Sequence, residues 1–204
     1  MTNIFMYLLG YLLGAVPFGL ILARIFAGAD IRKSGSGSIG ATNVLRVLKQ
    51  SNPALAKKLA IATALCDALK GVVAIAVAKF AFGCDEGVLW SVGVLAVIGH
   101  CFSPYLLFSG GKGVATGAGV LACFLPLEII ISLLAWFVVG KVLKISSLAS
   151  LAGLFTMIIS SFIFHYDLEP INTHAPIFII CFVVLHKHWE NILRLFKKAE
   201  SKVI

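Results

Sequence analysis

Apolar residues run along this chain in long blocks, interrupted by short polar breaks, instead of alternating with polar ones. Residues 4–26 form a first apolar run, a polar, glycine-rich segment covers 28–52, and a second run spans roughly 56–82. Gly83-Cys84-Asp85-Glu86-Gly87 makes a short acidic turn before a third run from about 88 to 108. Blocks of about 20 residues match the ~30 Å hydrocarbon core of a bilayer at a helical rise of about 1.5 Å per residue. The next stretch, 113–143, is too long for one span and is divided by Leu125-Pro126-Leu127-Glu128. Proline removes a backbone donor and clashes with the preceding turn, so it marks a helix boundary. A short fourth element and a fifth helix to about 140 result, followed by a sixth span over 147–164 and a seventh over about 173–188. His165-Tyr166-Asp167-Leu168-Glu169-Pro170 separates the last two. The fourth element, at roughly ten residues, supplies only about 15 Å of helix and cannot cross the core alone. It is expected to be a partial or broken helix packed inside the protein, where irregular backbone finds partners. The predicted fold class is all-α: one integral membrane domain over 1–204, polytopic, with about seven transmembrane helical elements.

Composition agrees, with 60% hydrophobic and 13% charged residues, far from an ordinary soluble domain. The charges orient the chain. With the N-terminus outside and the C-terminus cytoplasmic, 15 of the 17 Lys and Arg fall on the cytoplasmic side, all but Lys70 and Lys79. The outer turns then hold Asp85, Glu86, Glu128, Asp167 and Glu169. That split is the positive-inside pattern. It accounts for the net charge of +8 through insertion and contact with anionic lipid, with no nucleic acid needed. No Lys or Arg precedes Arg24, so the first run lacks the basic start of a signal peptide and is expected to be a retained span. The five cysteines are scattered without a C-x-x-C pair and read as small apolar helix residues, not a metal site or disulfide framework.

Three polar segments then fall on one membrane face. Phe108-Ser-Gly-Gly-Lys-Gly-Val-Ala-Thr-Gly-Ala-Gly119 is a glycine-rich loop bearing Lys112. Such loops turn backbone N–H groups toward an anion, and the lysine adds a full charge. Leu106 and Gly113 stand where a P-loop needs Gly and Ser or Thr, so this is a different device. Residues 30–46 combine Gly35, Gly37 and Gly40 with Ser34, Ser36, Ser38, Thr42, Asn43 and Arg46, the last suited to bidentate phosphate contact. Residues 185–195 place His188 and Asn191 three apart, on one helical face, with Glu190 pointing elsewhere. His186 and His188 do not share a face, which argues against a two-histidine metal site. Asp67 and Lys70, also three apart but inside the second span, are expected to neutralise each other facing the protein interior. Ser147 and Ser150 begin the sixth span on the same cytoplasmic side. Together these residues describe a site for phosphorylated small molecules, either an enzyme's or that of a membrane transporter for a phosphorylated anionic solute. The one-sided clustering and the lack of a repeated half favour the enzyme.

The segments Gly35-Ser36-Gly37-Ser38-Ile39-Gly40-Ala41-Thr42-Asn43-Val44-Leu45-Arg46, Gly99-His100 leading to Phe108–Thr116, and His188-Trp189-Glu190-Asn191-Ile192 resemble, in order, the three signatures of the bacterial PlsY family. Its members are acyl phosphate:glycerol-3-phosphate acyltransferases. Ser38, Ser109 and Trp189 depart from the residues common there. The resemblance implies transfer of an acyl group from an acyl phosphate to the 1-hydroxyl of glycerol 3-phosphate, giving lysophosphatidic acid and phosphate, the first acylation of phospholipid biosynthesis. It implies a multi-pass protein of the bacterial cytoplasmic (inner) membrane, acting on its cytoplasmic face, without cofactor or metal and as a monomer. The absence of His-x-x-x-x-Asp, the acid–base signature of soluble-donor glycerolipid acyltransferases, agrees with a donor that is already activated. By similarity, His188, Lys112, Asn191 and Arg46 would be catalytic. Ser36, Gly37, Thr42, Asn43, Gly110, Gly111, Gly113 and Ser150 would join them in binding substrate, with Arg46, Lys112 and the Gly110–Gly113 backbone on phosphate. The acyl chain would lie between helices.

Overall fold

The structure, a computed structural model, describes residues 2–202. It is helical, and no strand occurs among the described residues. The first apolar run is two helices, α1 (Thr2–Ala15) and α2 (Phe18–Ala27), interrupted at Val16-Pro17. After a short 3-10 turn, Ile31–Lys33, comes α3 (Ala41–Leu48), then α4 (Pro53–Ala76), which runs on to Ala81 as a π-turn. α5 (Glu86–Cys101), the 3-10 turn Pro104–Leu106, α6 (Val114–Ala122), α7 (Pro126–Leu143), α8 (Ser146–Phe164), α9 (Ala175–Lys187) and α10 (Trp189–Phe196) follow. Among the described residues, five segments are long and apolar enough to cross a membrane, six if α9 and α10, bent by 57° at His188, count as one. With the nine-residue α6, these are the seven elements expected. Two details differ from the sequence pattern. The segment 28–52 contains a helix, α3, and the seventh element turns sharply at His188 into α10 instead of simply ending there.

The second span shows how composition chooses faces. Ile61, Leu65, Leu69 and Val73 of α4 recur every fourth residue and are exposed, while Thr63, Asp67, Lys70, Gly71 and Ala74 are buried. Lipid is as apolar as leucine, so the polar and small residues turn inward, where they find partners and allow close approach. The α1–α5 contact depends on such closeness. A Cβ on Gly14 would lie 2.1 Å from the Ala96 carbonyl oxygen, and one on Gly99 would lie 2.1 Å from that of Tyr11. The break at Pro17 frees carbonyls inside the protein, and side chains from elsewhere satisfy them: Ser103 Oγ donates to the Ala15 carbonyl (2.7 Å) and Lys70 Nζ to that of Val16 (2.9 Å).

The half-length α6 is explained by where it starts. The loop after α5 folds back on that helix, so that the Gly110 and Gly111 N–H groups donate to the carbonyls of Cys101 and His100 (3.2 and 2.9 Å). Gly113 lies beside Cys101 and Val97, and Val120 packs into the space left by Gly93 and Gly71. The chain therefore re-enters before its helix begins, and nine residues reach Phe124, which stacks on Trp90 near the far end of α5 (4.0 Å).

Candidate active site

The segment before α3 is built around Asn43. This residue is 1% exposed. Its Nδ2 donates to the carbonyls of Ile31 (2.7 Å), Ser38 (2.8 Å) and, more weakly, Ser34 (3.3 Å), while its Oδ1 accepts the Ser36 N–H (2.8 Å). Asn43 thus braces the loop from inside, spending both amide hydrogens on loop carbonyls, while it also lines the cavity that the loop borders. Asp30 secures the other end by accepting from Arg24 (2.8 Å) and Arg32 (2.6 Å). These bonds, from Arg32 first and Arg24 second, hold its carboxyl well below the usual carboxylate range. The result is that Ser36, Thr42 and Arg46 face a common cavity of 290 Å³. Thr42 Oγ1 also shares a hydrogen bond with Ser146 Oγ (3.1 Å), tying α3 to the start of α8.

The glycine loop contributes Lys112 and Gly113 to this cavity, but not Gly110 or Gly111. The two glycines expected to offer N–H groups to phosphate spend them on the end of α5, and their lack of side chains serves packing. A Cβ on Gly110 would be 2.0 Å from the His100 carbonyl oxygen, and one on Gly111 would be 2.1 Å from His100 Nε2. Gly37 likewise lies outside the cavity lining, with its N–H bonded to the Ser34 carbonyl (3.2 Å) at a left-handed φ of 68°. Gly113, at φ 84°, is the N-cap of α6, and no side chain caps that end. The open N–H groups and positive end of α6 therefore accompany Val114 and Ala115 to the cavity wall.

From the C-terminal side, the α9–α10 elbow places His188 and Asn191 in the same cavity, three residues apart as their spacing predicts. His188 is 1% exposed, and its Nδ1 lies 2.8 Å from the Val184 carbonyl oxygen. A carbonyl only accepts, so Nδ1 carries the hydrogen and Nε2 keeps the free lone pair. Asn191 Oδ1 accepts from Lys112 Nζ (2.6 Å). Burial is the chief cause that pushes the Lys112 ammonium down to about 8; Glu200 opposes it, while Arg194 and Arg46 add to it. Both Ser147 and Ser150 face the cavity from α8. His186, by contrast, points away toward Phe102, 6.3 Å between ring centres.

Below the glycine loop lies a cluster that the sequence pattern shows only in part. Asp67 and Lys70 form the expected buried pair (2.9 Å, each side chain 3% exposed). Lys70 Nζ also donates to Nδ1 of His100 (2.8 Å), which comes from a different helix. Asp67 and His100 line the cavity floor. Glu200, from the chain's end, is the other unanticipated member of the cavity wall. Next to this polar space is a narrow apolar cleft between α6, α7, α8 and α9, lined by Gly117, Leu121, Ile129, Leu133, Trp136 and Met157 among others. The two share Gly113, Val114, Ala118, Leu133, Trp136 and Ser150.

A polar cavity lined by Arg46 and Lys112 and joined to an apolar cleft suits a phosphorylated head and a lipid tail, and comparison with known proteins identifies the class. Residues 4–198 match the family described as glycerol-3-phosphate acyltransferase. The chain belongs to that family. It is 67% identical over 204 residues to the glycerol-3-phosphate acyltransferase of Campylobacter lari, covering all of both chains. It also superposes on the crystal structure of PlsY, an integral membrane glycerol 3-phosphate acyltransferase, in its glycerol 3-phosphate form. That match has a TM-score of 0.86 at 34% identity and covers 99% of this chain and 96% of that one. The lysophosphatidic acid form of PlsY gives a TM-score of 0.83 at 32% identity, covering 99% and 95%. The resemblance seen in the three signatures is therefore a family membership over nearly the whole chain, and the chain is a multi-pass integral membrane acyltransferase.

Proposed function

We propose that this chain transfers the acyl group of an acyl phosphate to the 1-hydroxyl of glycerol 3-phosphate. The products are 1-acyl-glycerol 3-phosphate (lysophosphatidic acid) and inorganic phosphate, and residues 1–204 act as a single monomeric unit. The observation that carries the reading is the meeting of Arg46, Lys112 and the open N-terminus of α6 around one cavity that adjoins an apolar cleft. Both substrates carry a phosphate and one carries a long acyl chain, so the reaction needs two anions held together beside an apolar slot. The distribution of Lys and Arg along the sequence supports a site on the cytoplasmic face of the bacterial cytoplasmic (inner) membrane.

The chemistry requires no covalent intermediate on the protein. An acyl phosphate is a mixed anhydride: the glycerol oxygen attacks its carbonyl carbon, the new ester C–O bond forms, and the bond from that carbon to the phosphate oxygen breaks. The hydroxyl proton ends on the departing phosphate. His188 Nε2, with its lone pair free, accepts the hydrogen bond of the attacking hydroxyl and aims it. Arg46 and Lys112 offset the charge of two neighbouring phosphates, which would otherwise repel, and stabilise the one that leaves. Ser36, Thr42 and Ser150 supply hydroxyls around the polar head, and Asn191 holds Lys112. The acyl chain occupies the cleft along α6, α7, α8 and α9.

The test is a reconstitution of purified protein in liposomes with palmitoyl phosphate and glycerol 3-phosphate. Lysophosphatidic acid should form with one phosphate released per molecule. Lys112→Ala should lose about 10- to 100-fold in kcat/KM, the value of one charge-assisted contact of roughly 1.5–3 kcal/mol. Uptake of glycerol 3-phosphate into the liposomes without acyl transfer would replace this reading with transport.

A further inference from the structure

We propose that Glu200 is a positioning residue for the anion site: through Asn191 it fixes the direction in which the Lys112 ammonium is presented. The inference rests on the assignment of Lys112 to substrate phosphate made above.

The residues after α10 read as a solvated basic tail, Lys197-Lys198-Ala199-Glu200-Ser201-Lys202. The backbone instead turns back at the helix end. Lys198 takes a left-handed φ of 52°, and the N–H groups of Lys197, Lys198 and Ala199 donate to the carbonyls of Leu193 (3.2 Å), Leu195 (3.0 Å) and Arg194 (2.8 Å). This is the usual way for a helix to end in a left-handed residue and reverse. The reversal carries the Glu200 side chain inward, where it is 6% exposed, against 86% for Glu190 on the same helix–tail unit.

There the carboxylate is fully engaged. Oε1 accepts from Ser147 Oγ (2.9 Å) and from Asn191 Nδ2 (2.6 Å), and Oε2 accepts from Arg194 Nε (2.6 Å). A carboxylate can only accept, so it settles which edge of the Asn191 amide faces it: the NH₂ edge. The carbonyl edge then faces Lys112 and accepts its ammonium at 2.6 Å. Lysine carries its charge on a flexible four-carbon stem, and an acceptor held in one place reduces the freedom it must lose when phosphate arrives. The chain Glu200–Asn191–Lys112 thus pre-orients a cation that the fold would otherwise leave to choose its own direction. Arg194 pairs with Glu200 (2.6 Å) and offsets part of the negative charge that the carboxylate brings toward Lys112.

The experiment measures KM for glycerol 3-phosphate and kcat in the full-length protein, from pH 6 to 9.5, for Glu200→Ala and Glu200→Gln, with Lys112→Ala and Asn191→Ala as references. Glu200→Ala should raise KM about tenfold, the scale of one charged hydrogen bond, and change kcat far less. Glu200→Gln keeps an acceptor for Asn191 and should hold KM near wild type at neutral pH. Because it removes a negative charge near Lys112, the KM rise in alkali should begin at lower pH; the other charged or titratable groups around Lys112, namely Arg46, His188, Arg194 and the exposed Glu190, with Asp67 and His100 in the same cavity, stay the same. A merely structural defect would not move that profile. Unchanged KM in Glu200→Ala together with an unmoved profile in Glu200→Gln overturns the inference. A lowered KM overturns it too, and would make the tail carboxylate a competitor of substrate phosphate. If Lys112→Ala and Asn191→Ala also leave KM unchanged, the anion-site assignment itself is wrong; if only the Glu200 variants are silent, that assignment stands and this inference alone fails.

Discussion

Replacing Gly111 by alanine adds one methyl group outside the cavity lining and should nonetheless cripple the enzyme. The new Cβ would lie 2.1 Å from His100 Nε2, 2.8 Å from Cε1 and 3.1 Å from Cδ2. Ordinary contact begins about 1.3 Å further out than the shortest of these, so either the imidazole or the loop must move by roughly that much. The imidazole is poorly placed to yield. Its Nδ1 is held by Lys70 Nζ at 2.8 Å, and the same ammonium is tied to Asp67 (2.9 Å) and to the Val16 carbonyl (2.9 Å). The strain therefore passes to the loop, where Lys112 and Gly113 are the next two residues. Overpacking of this kind costs about 1–3 kcal/mol in stability, and a displacement of about 1 Å in a positioned group costs about 100-fold in rate. Steady-state phosphate release should show kcat/KM lowered by that order, alongside a modest fall in thermal unfolding temperature. Gly140→Ala is the control, since its Cβ meets only Ala149 Cβ at 3.4 Å. If Gly111→Ala kept kcat/KM within about threefold of wild type, less than about 0.7 kcal/mol, the idea that close packing of Gly111 on His100 sets the position of Lys112 would be refuted.

Other outcomes follow from the same geometry. Burial leaves Lys112 mostly protonated only below about 8, while a phosphate monoester is a dianion above about pH 6. KM for glycerol 3-phosphate should therefore be lowest between these values and rise above pH 8, where a neutral amine must first gain a proton. Lys112→Arg should abolish the rise, and a flat wild-type profile to pH 9.5 would exclude Lys112 from phosphate binding. Lys70→Met should destabilise the protein by about 3–5 kcal/mol by stranding Asp67 as a buried charge, and Asp67→Leu in the same chain should restore much of it, as read by thermal unfolding in detergent. A double variant no more stable than the single one would mean that the pair is not what matters there. Gly117→Val narrows the cleft opposite Ile180, whose Cγ2 would already lie 3.3 Å from a Cβ at that position. It should depress kcat/KM for palmitoyl phosphate more than for octanoyl phosphate; equal losses would remove the acyl chain from the cleft.

The spans were readable because lipid imposes length and hydropathy, and the half-helix α6 because Pro126 divides a run too long for one crossing and too short for two. The three polar segments were readable because their residue types suit phosphate and fall on one face. What was not readable depends on contacts between residues far apart in the chain. A glycine whose N–H faces an anion and one whose N–H faces a helix end look alike in sequence, which is why Gly110 and Gly111 pack on α5 instead of lining the cavity. The bracing of the 30–43 loop by Asn43 was hidden because an amide that can meet a phosphate can equally grip a loop, and its partners Ile31, Ser36 and Ser38 are known only from the fold. The His100 partner of Lys70 lies 30 residues away, and only the α4–α5 packing joins them. α3 was hidden by the glycines before it, and Glu200 by the lysines around it, which suggest solvent when the local turn leads indoors.

In the proposed reaction the donor's phosphate leaves and the acceptor's phosphate stays. Palmitoyl phosphate labelled with ³²P and unlabelled glycerol 3-phosphate, given to the reconstituted protein, distinguish the two directly. All label should appear as inorganic phosphate, with one unlabelled lysophosphatidic acid formed for each phosphate released. Label in the lipid product, or lipid formed without matching phosphate, would rule out acyl transfer from an acyl phosphate.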